Sequence, residues 1–485
     1  MPTRKIIRFA AVSAVVVILL ILAAATLAQR SKPALSLWHT VNLKTEFDAK
    51  DATDGFGWNQ YLETEDRLFR ELDERVARVT DGVNPLWNRY APGGANNPET
   101  FPRNWNRSYE LAPPDPVGGA LLIHGLTDSP YSLRRTAEIL NGLGFHIVGL
   151  RLPGHGTTPS TLRRAEVEDW RAAVRIAYDH LVETVGDDTR IFVAGYSNGG
   201  ALALDLALGT VAGDEVRTPD QIVLFSPAIG ITRAAALARI HRLISWMPWF
   251  NKLGWGGIEP EYDPFKYTSF HNDAGYQTHV LTKSVRAGLA GIQGLESARR
   301  FPPVLTFMSL ADATVLVEAV VDGLHDRLVD EDSELVIFDI NRQAKMRGFF
   351  RTDPAKRLTS LTDRYSTPYR LTVIMNADET TGALEEWTRA AGATEAVVTP
   401  LELKWPRGFY SLSHVAVPFA PDDPIYGVLP NPDQRFGIQL GSLEPRGERG
   451  LLSVPADHFN RLRSNPFFPY IEQRLIDVAR GTAEE

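Results

Sequence analysis

The chain contains no cysteine among its 485 residues. That excludes disulfides, a cysteine nucleophile, thiolate metal sites and a lipidated-cysteine anchor. It leaves the compartment open, because an oxidising compartment permits disulfides without requiring them. An excess of basic charge is also missing: 51 Lys and Arg stand against 59 Asp and Glu, for a formal net charge of −8. Such a balance offers no electrostatic footprint for nucleic acid. Internal repeats and low-complexity tracts are absent. The length is enough for one large domain with insertions, or for two to three domains.

Long apolar runs are equally scarce, with one exception. Phe9 to Ala28 is 20 residues without a charge, preceded by Arg4, Lys5 and Arg8. A helix of that length spans about 30 Å, enough for a bilayer core. The run predicts an N-terminal membrane-spanning anchor over residues 1–28, with the basic flank in the cytoplasm and the rest of the chain on the far side. The alternative is a signal peptide cleaved near Thr26-Leu27-Ala28. Either reading exports the remainder of the chain.

Residues 29–115 form an N-terminal extension. Within it, Tyr61, Leu62, Leu68, Phe69, Leu72, Val76 and Val79 recur at helical spacing over Trp58 to Val79. From residue 116 the pattern becomes an alternation of short apolar strands and amphipathic helices. Strands are expected at 119–123, 145–150, 190–194, 221–225, 303–308 and 335–338. Helices are expected at 131–143, 165–185, 201–208, 315–328 and 465–479. This alternation implies an α/β fold with a mostly parallel sheet. Two segments break the rhythm. Residues 231–301 are aromatic-rich, and residues 342–403 carry their own strand-like runs at 369–375 and 396–403.

Chemistry is concentrated at Gly195-Tyr196-Ser197-Asn198-Gly199. A strand leads into this G-x-S-x-G stretch and a helix leads out, the setting of a nucleophile elbow with Ser197 exposed on a tight turn. A serine hydroxyl needs a histidine to take its proton and a carboxylate to orient that histidine. In this chain order the acid follows a later strand, and Asp312 does so in Ser309-Leu310-Ala311-Asp312. A helix N-cap is the plain alternative for Asp312. Asp339 and Asp378 are its rivals. Downstream of residue 325 the only histidines are His414 and His458, and His414 lies in the more loop-like stretch. The backbone N–H groups of Asn198 and Leu126 are the candidate oxyanion donors. Leu126 follows the 119–123 strand in His124-Gly125-Leu126-Thr127-Asp128-Ser129-Pro130, where His124 reads as a loop-shaping residue.

The 124–130 stretch, Leu152-Pro153-Gly154-His155-Gly156 and the elbow together resemble the α/β-hydrolase superfamily, in its branch of monoacylglycerol lipases, lysophospholipases and carboxylesterases. The resemblance implies Ser197, Asp312 and His414 as a triad and a cap over the site at 231–301. The hydrolase core is then expected at 116–230, 302–341 and 404–485, with 342–403 an insertion. It further implies a serine hydrolase acting on carboxylic or lipid-derived esters, with no metal or organic cofactor. Trp246, Trp249 and Phe250 are candidates to line an acyl pocket, to meet a lipid surface or to pack the cap itself. Acyl transfer, thioester or amide cleavage, and a non-catalytic lipid- or partner-binding scaffold remain as alternatives.

Overall fold

The computed structural model of the chain describes residues 2–80, 88–213, 216–230, 248–294, 296–328, 330–344, 349, 353–432, 437–443 and 460–481. In chain order the elements are α1 (Pro2–Ser31), α2 (Trp58–Leu72), β1 (Tyr109–Leu111), β2 (Gly118–Ile123), α3 (Arg134–Gly142), β3 (Phe145–Leu150), α4 (Val167–Val185), β4 (Arg190–Tyr196), α5 (Asn198–Ala212) and β5 (Gln221–Phe225). There follow β6 (Trp255–Gly257), β7 (Phe270–His271), α6 (Asn272–Ile292), β8 (Val304–Ser309), α7 (Val317–Gly323) and β9 (Glu334–Phe338). The chain ends with α8 (Pro354–Thr362), β10 (Arg370–Asn376), β11 (Ala383–Arg389), β12 (Val397–Lys404) and α9 (Phe468–Arg480).

Among the described residues ten strands form one sheet in the order β1-β3-β2-β4-β5-β8-β9-β10-β11-β12. From β3 through β10 every neighbouring pair is parallel, while β1, β11 and β12 pair antiparallel. Parallel strands buried on both faces read as unbroken apolar runs, which is why β2, β4 and β5 were legible as short hydrophobic segments. The period-2 pleat sorts their side chains into two cores. Leu121, Ile123, Ile191, Val193, Ile222 and Leu224 pack with Trp170 of α4, Leu202 of α5 and Leu281 of α6. Ala120, Leu122, Phe192, Val223 and Phe225 pack on the other face with Leu140 of α3 and Phe468, Ile471 and Leu475 of α9.

Residues 342–403 are not set apart from the core. Strand β10 lies parallel against β9, with Leu371 opposite Leu335 and Val373 opposite Ile337. Strands β11 and β12 then extend the same sheet, so this segment enlarges it at one edge. The outermost strand, β12, carries Pro400. Proline is tolerated there because an edge strand has one unpaired side.

The extension is joined to the core through a buried guanidinium. Arg151, just past β3, donates from Nε to Glu65 Oε2 (2.8 Å) and from Nη2 to Glu46 Oε1 (2.9 Å). Tyr61 of α2 donates to the Arg151 carbonyl (2.6 Å), and Ser108 N–H to Glu65 Oε1 (2.8 Å). Arg151 is 1 % exposed and Glu65 3 %.

The apolar N-terminal run lies in α1, where Phe9, Val12, Leu19 and Leu20 are exposed. Among the described residues no helix is long and apolar enough to cross a membrane. The expected membrane-spanning anchor is therefore not supported by the structure. The end of the helix is held by protein: Gln29 Nε2 donates to Asn251 Oδ1 (3.2 Å), and the Lys252 N–H donates to Gln29 Oε1 (3.1 Å).

Replacing Arg151 by Ala leaves the Glu65 and Glu46 carboxylates without their counter-ion. The expected loss is about 3–5 kcal/mol of unfolding free energy, measured by urea denaturation of the purified variant.

Candidate active site

The carboxyl ends of the parallel strands gather the chemistry. Strand β4 runs directly into Ser197, which has φ 51° and ψ −111°. A non-glycine residue held in such a conformation stores about 1–3 kcal/mol, and the surroundings must over-determine it. They do: the Ser197 N–H donates to the Phe225 carbonyl (2.9 Å), and the Ser197 carbonyl accepts from Ala228 (2.9 Å) and Gly200 (3.0 Å). The flanking glycines follow from close approach. A Cβ at Gly195 would sit 2.4 Å from the Gly199 carbonyl oxygen, and one at Gly199 would sit 2.0 Å from that of Ile123. Both contacts are far inside van der Waals distance, so the turn admits only glycine at the two positions.

The structure brings Ser197, His414 and Asp312 together. His414 Nε2 lies 3.1 Å from Ser197 Oγ, and His414 Nδ1 lies 2.7 Å from Asp312 Oδ2. Asp312 is 1 % exposed. Its Oδ1 accepts from the N–H groups of Thr314 (2.8 Å) and Val315 (2.9 Å), so one carboxylate both caps the following turn and meets the imidazole. Burial pushes the Asp312 carboxyl up, but His414 and these two N–H donors prevail and hold it below its ordinary value. An ionised carboxylate at Nδ1 fixes the tautomer in which Nε2 is free to accept a proton from Ser197.

The rival acids are occupied elsewhere. Asp339, at the end of β9, is bonded by Arg342 Nε at 2.8 Å. Asp378 is exposed and closes a turn with Thr380 and Thr381. His458 lies outside the described residues.

His414 is 102 residues beyond Asp312, and three contacts close that distance. The Asn341 N–H donates to the Tyr410 carbonyl (2.8 Å), Asn341 Nδ2 to the Phe409 carbonyl (2.8 Å) and Ser309 Oγ to the Leu412 carbonyl (2.7 Å). These anchor the segment returning from β12 onto the ends of β8 and β9.

Asn198 opens α5, and the first N–H groups of a helix have no intrahelical acceptor. Leu126 and Ser197 line the same cavity of about 600 Å³, together with Tyr196, Phe270, Thr278, Val315, His414, Val415 and Arg461. The loop carrying Leu126 is pinned from two sides. His124 Nδ1 donates to the Gly125 carbonyl (2.8 Å) and its Nε2 accepts from the Leu152 N–H (3.0 Å), so this ring shapes the loop. Lys266 Nζ reaches both oxygens of Asp128 at 3.1 Å, and the Tyr267 N–H donates to the Thr127 carbonyl (2.8 Å). No sequence signal pointed to the Lys266–Asp128 pair, because its partners are 138 residues apart.

Of the acyl-pocket candidates, Trp249 and Phe250 do not line this cavity. Trp249 is 74 % exposed, and Phe250 is buried within the Pro248–Gly254 turn that packs on the end of α1. Trp246 lies outside the described residues. The cap contributes Phe270 and the first turns of α6 to the cavity instead, through Asn272, Gly275 and Thr278. Tyr262 and Phe265 pack with Phe101, Tyr131, Phe419 and Tyr426.

Burial holds four of the described imidazoles neutral to well below the ordinary imidazole range. Burial pushes His39 and His155 down to about 4, His325 to about 3 and His124 well below its ordinary value. The unfolded chain takes up these protons below about pH 6.5, whereas the folded chain does so only at much lower pH. Stability therefore falls as pH drops from about 6.5 toward 4, by up to about 1.4 kcal/mol per pH unit for each ring. Urea midpoints measured between pH 7 and pH 5 are expected to decline steadily, and a flat profile contradicts this account.

Residues 114–338 match the protein family described as serine aminopeptidase, S33. The thermostable monoacylglycerol lipase of Bacillus sp. strain H-257 is 40 % identical over 89 residues, 18 % of this chain and 34 % of that one. The chain thus aligns with about a third of that relative's length. A solved monoacylglycerol lipase of Paleococcus ferrophilus is 20 % identical, with a TM-score of 0.37 over 48 % of this chain and 88 % of that one. A metagenome-derived lipolytic enzyme is 22 % identical, with a TM-score of 0.36 over 46 % of this chain and 84 % of that one. With its parallel sheet, its strand–elbow–helix and the family match over 114–338, this chain has the α/β-hydrolase fold and is similar to the monoacylglycerol lipase and esterase branch of that superfamily.

Proposed function

We propose that this chain hydrolyses carboxylic esters through Ser197, His414 and Asp312. The observation that carries the reading is the unbroken line of contacts from Ser197 Oγ to His414 Nε2 (3.1 Å) and from His414 Nδ1 to Asp312 Oδ2 (2.7 Å). Ser197 Oγ attacks the ester carbonyl while His414 takes its proton. The negative charge on the tetrahedral oxygen falls to the backbone N–H groups of Leu126 and Asn198. His414 then protonates the leaving alcohol, and a water activated by the same ring releases the acid from Ser197. Asp312 stays ionised and steadies the imidazolium.

The substrate we favour is a lipid-derived monoester. Phe270, Val315, Val415 and Tyr196 give the cavity apolar walls suited to an acyl chain, and the Bacillus relative bears the name of a monoacylglycerol lipase. The family description as an aminopeptidase makes amide cleavage the second reading. Matched ester and anilide substrates separate the two. The location of the catalytic domain outside the cytoplasm is a further proposal, carried by Arg4, Lys5 and Arg8 ahead of the uncharged run.

A fluorophosphonate probe is expected to label the wild-type chain and to leave Ser197→Ala unlabelled. His414→Ala and Asp312→Asn are each expected to lower kcat on a short-chain monoacyl ester by about 10⁴-fold, and Asp378→Asn to change it less than about threefold. A folded wild-type chain that neither labels nor turns over would falsify the enzymatic reading. Loss of activity in Asp378→Asn with full activity in Asp312→Asn overturns the choice of acid.

A further inference from the structure

Away from the cavity, three metal-ligating side chains from three elements converge where the extension meets the core. Glu110 of β1, His146 of β3 and His180 of α4 bring one ligand atom each to within 4.8 Å of one another. His146 Nε2 lies 2.9 Å from Glu110 Oε2, and His180 Nε2 lies 3.2 Å from the same oxygen. His180 Nε2 is buried with that oxygen at ion-pair distance, off the geometry of a well-formed hydrogen bond. A buried ring nitrogen left in that state costs free energy unless something occupies its lone pair or takes its proton.

The groups around these three are arranged to hold them still. Trp58 Nε1 donates to Glu110 Oε1 (2.6 Å), which turns Oε2 toward the imidazoles. The Trp58 ring also stacks on His180, with centroids 5.6 Å apart and planes 18° from parallel. Antiparallel pairing of β1 with β3, Glu110 opposite Val148, sets the carboxylate beside His146. Each donor is therefore fixed by its own element and by a neighbour, as ligating side chains are.

We propose that Glu110, His146 and His180 bind a divalent transition-metal ion of the zinc type, which clamps the N-terminal extension to the hydrolase core. Two imidazole nitrogens and one carboxylate oxygen suit zinc, whereas calcium and magnesium take oxygen ligands almost exclusively. A tetrahedral ion about 2.0–2.1 Å from each ligand holds the ligands roughly 3.3 Å apart. The 2.9 and 3.2 Å separations from Glu110 Oε2 are close to that spacing, and the two imidazole nitrogens lie within 4.8 Å of each other. Glu110 and His180 retain 30 % and 25 % of their side-chain exposure, which leaves an entry path and room for water as the fourth ligand. His146 is the second residue of β3, whereas Ser197 follows the carboxyl end of β4. The ion accordingly lies toward the opposite end of the sheet from the triad. Its effect is on stability, not on ester chemistry.

Full-length protein freed of metal with EDTA and titrated with Zn²⁺ tests the proposal by calorimetry and thermal unfolding. One equivalent is expected to bind and to raise Tm by about 5 °C at saturating metal. Ester hydrolysis by wild type is expected to change less than twofold between the metal-free and zinc-loaded forms. His146→Ala and His180→Ala should each lose the zinc-dependent shift. His180→Ala disturbs the metal-free fold less than His146→Ala, because its contact with Glu110 is the longer one and its ring is the more exposed. Absence of binding heat and of a Tm shift at 100 µM Zn²⁺ overturns the site. So does one equivalent bound with wild-type affinity by both variants. Abolition of ester hydrolysis on metal removal overturns the clamp role.

Discussion

His414 meets Asp312 and Ser197 because the segment returning from β12 is held down where β8 and β9 end. Ser309 and Asn341 sit at those two strand ends and donate to the carbonyls of Leu412, Tyr410 and Phe409. The donors are therefore fixed by the sheet, and the acceptors immediately precede the histidine. This anchoring lets three further strands be added between acid and base without separating them. Inserted chain is tolerated at a site when its ends are pinned close together, since the entropy of closing a loop grows only slowly with its length.

The nucleophile and the oxyanion loop obey the same logic from the other side. Ser197 is held in a strained conformation by hydrogen bonds to β5 and to the residues just after it. The loop at 124–130 is fixed by His124 from below and by Lys266 and Tyr267 from the cap. The cap thus does more than line the cavity: it is tied to the loop whose Leu126 borders the same cavity as Ser197. Behind them, the Arg151 cluster and the Trp58–Glu110 contact make the N-terminal extension part of the same packed body.

Much of this architecture was legible in the residues. The parallel strands announced themselves as short apolar runs because both of their faces are buried, and G-x-S-x-G between a strand and a helix admits few other readings. The order Ser197, Asp312, His414 named three residues that the fold brings into contact. The cap aromatics were not legible in the same way. Tryptophan and phenylalanine suit a pocket, a lipid surface or a small core equally well, so Trp249 at the surface and Phe250 beneath a turn carry no mark of their places. Residues 342–403 read as an interruption because a strand's partner is not written in the strand: nothing in Leu371 or Val373 says that they lie against β9.

Periodicity, turn chemistry and the spacing of glycines around Ser197 are local, and the sequence by itself determined them: the strand–helix alternation, the elbow and the identity of the candidate triad. Long-range pairing depends on contacts between residues far apart in the chain, and only the tertiary structure decided it. It decided that 342–403 would widen the sheet, that Phe270 and the start of α6 rather than Trp249 would face the cavity, and that Lys266 would reach Asp128. It also decided that Glu110, His146 and His180 would meet, since each is an ordinary residue in its own strand or helix until the three elements pack.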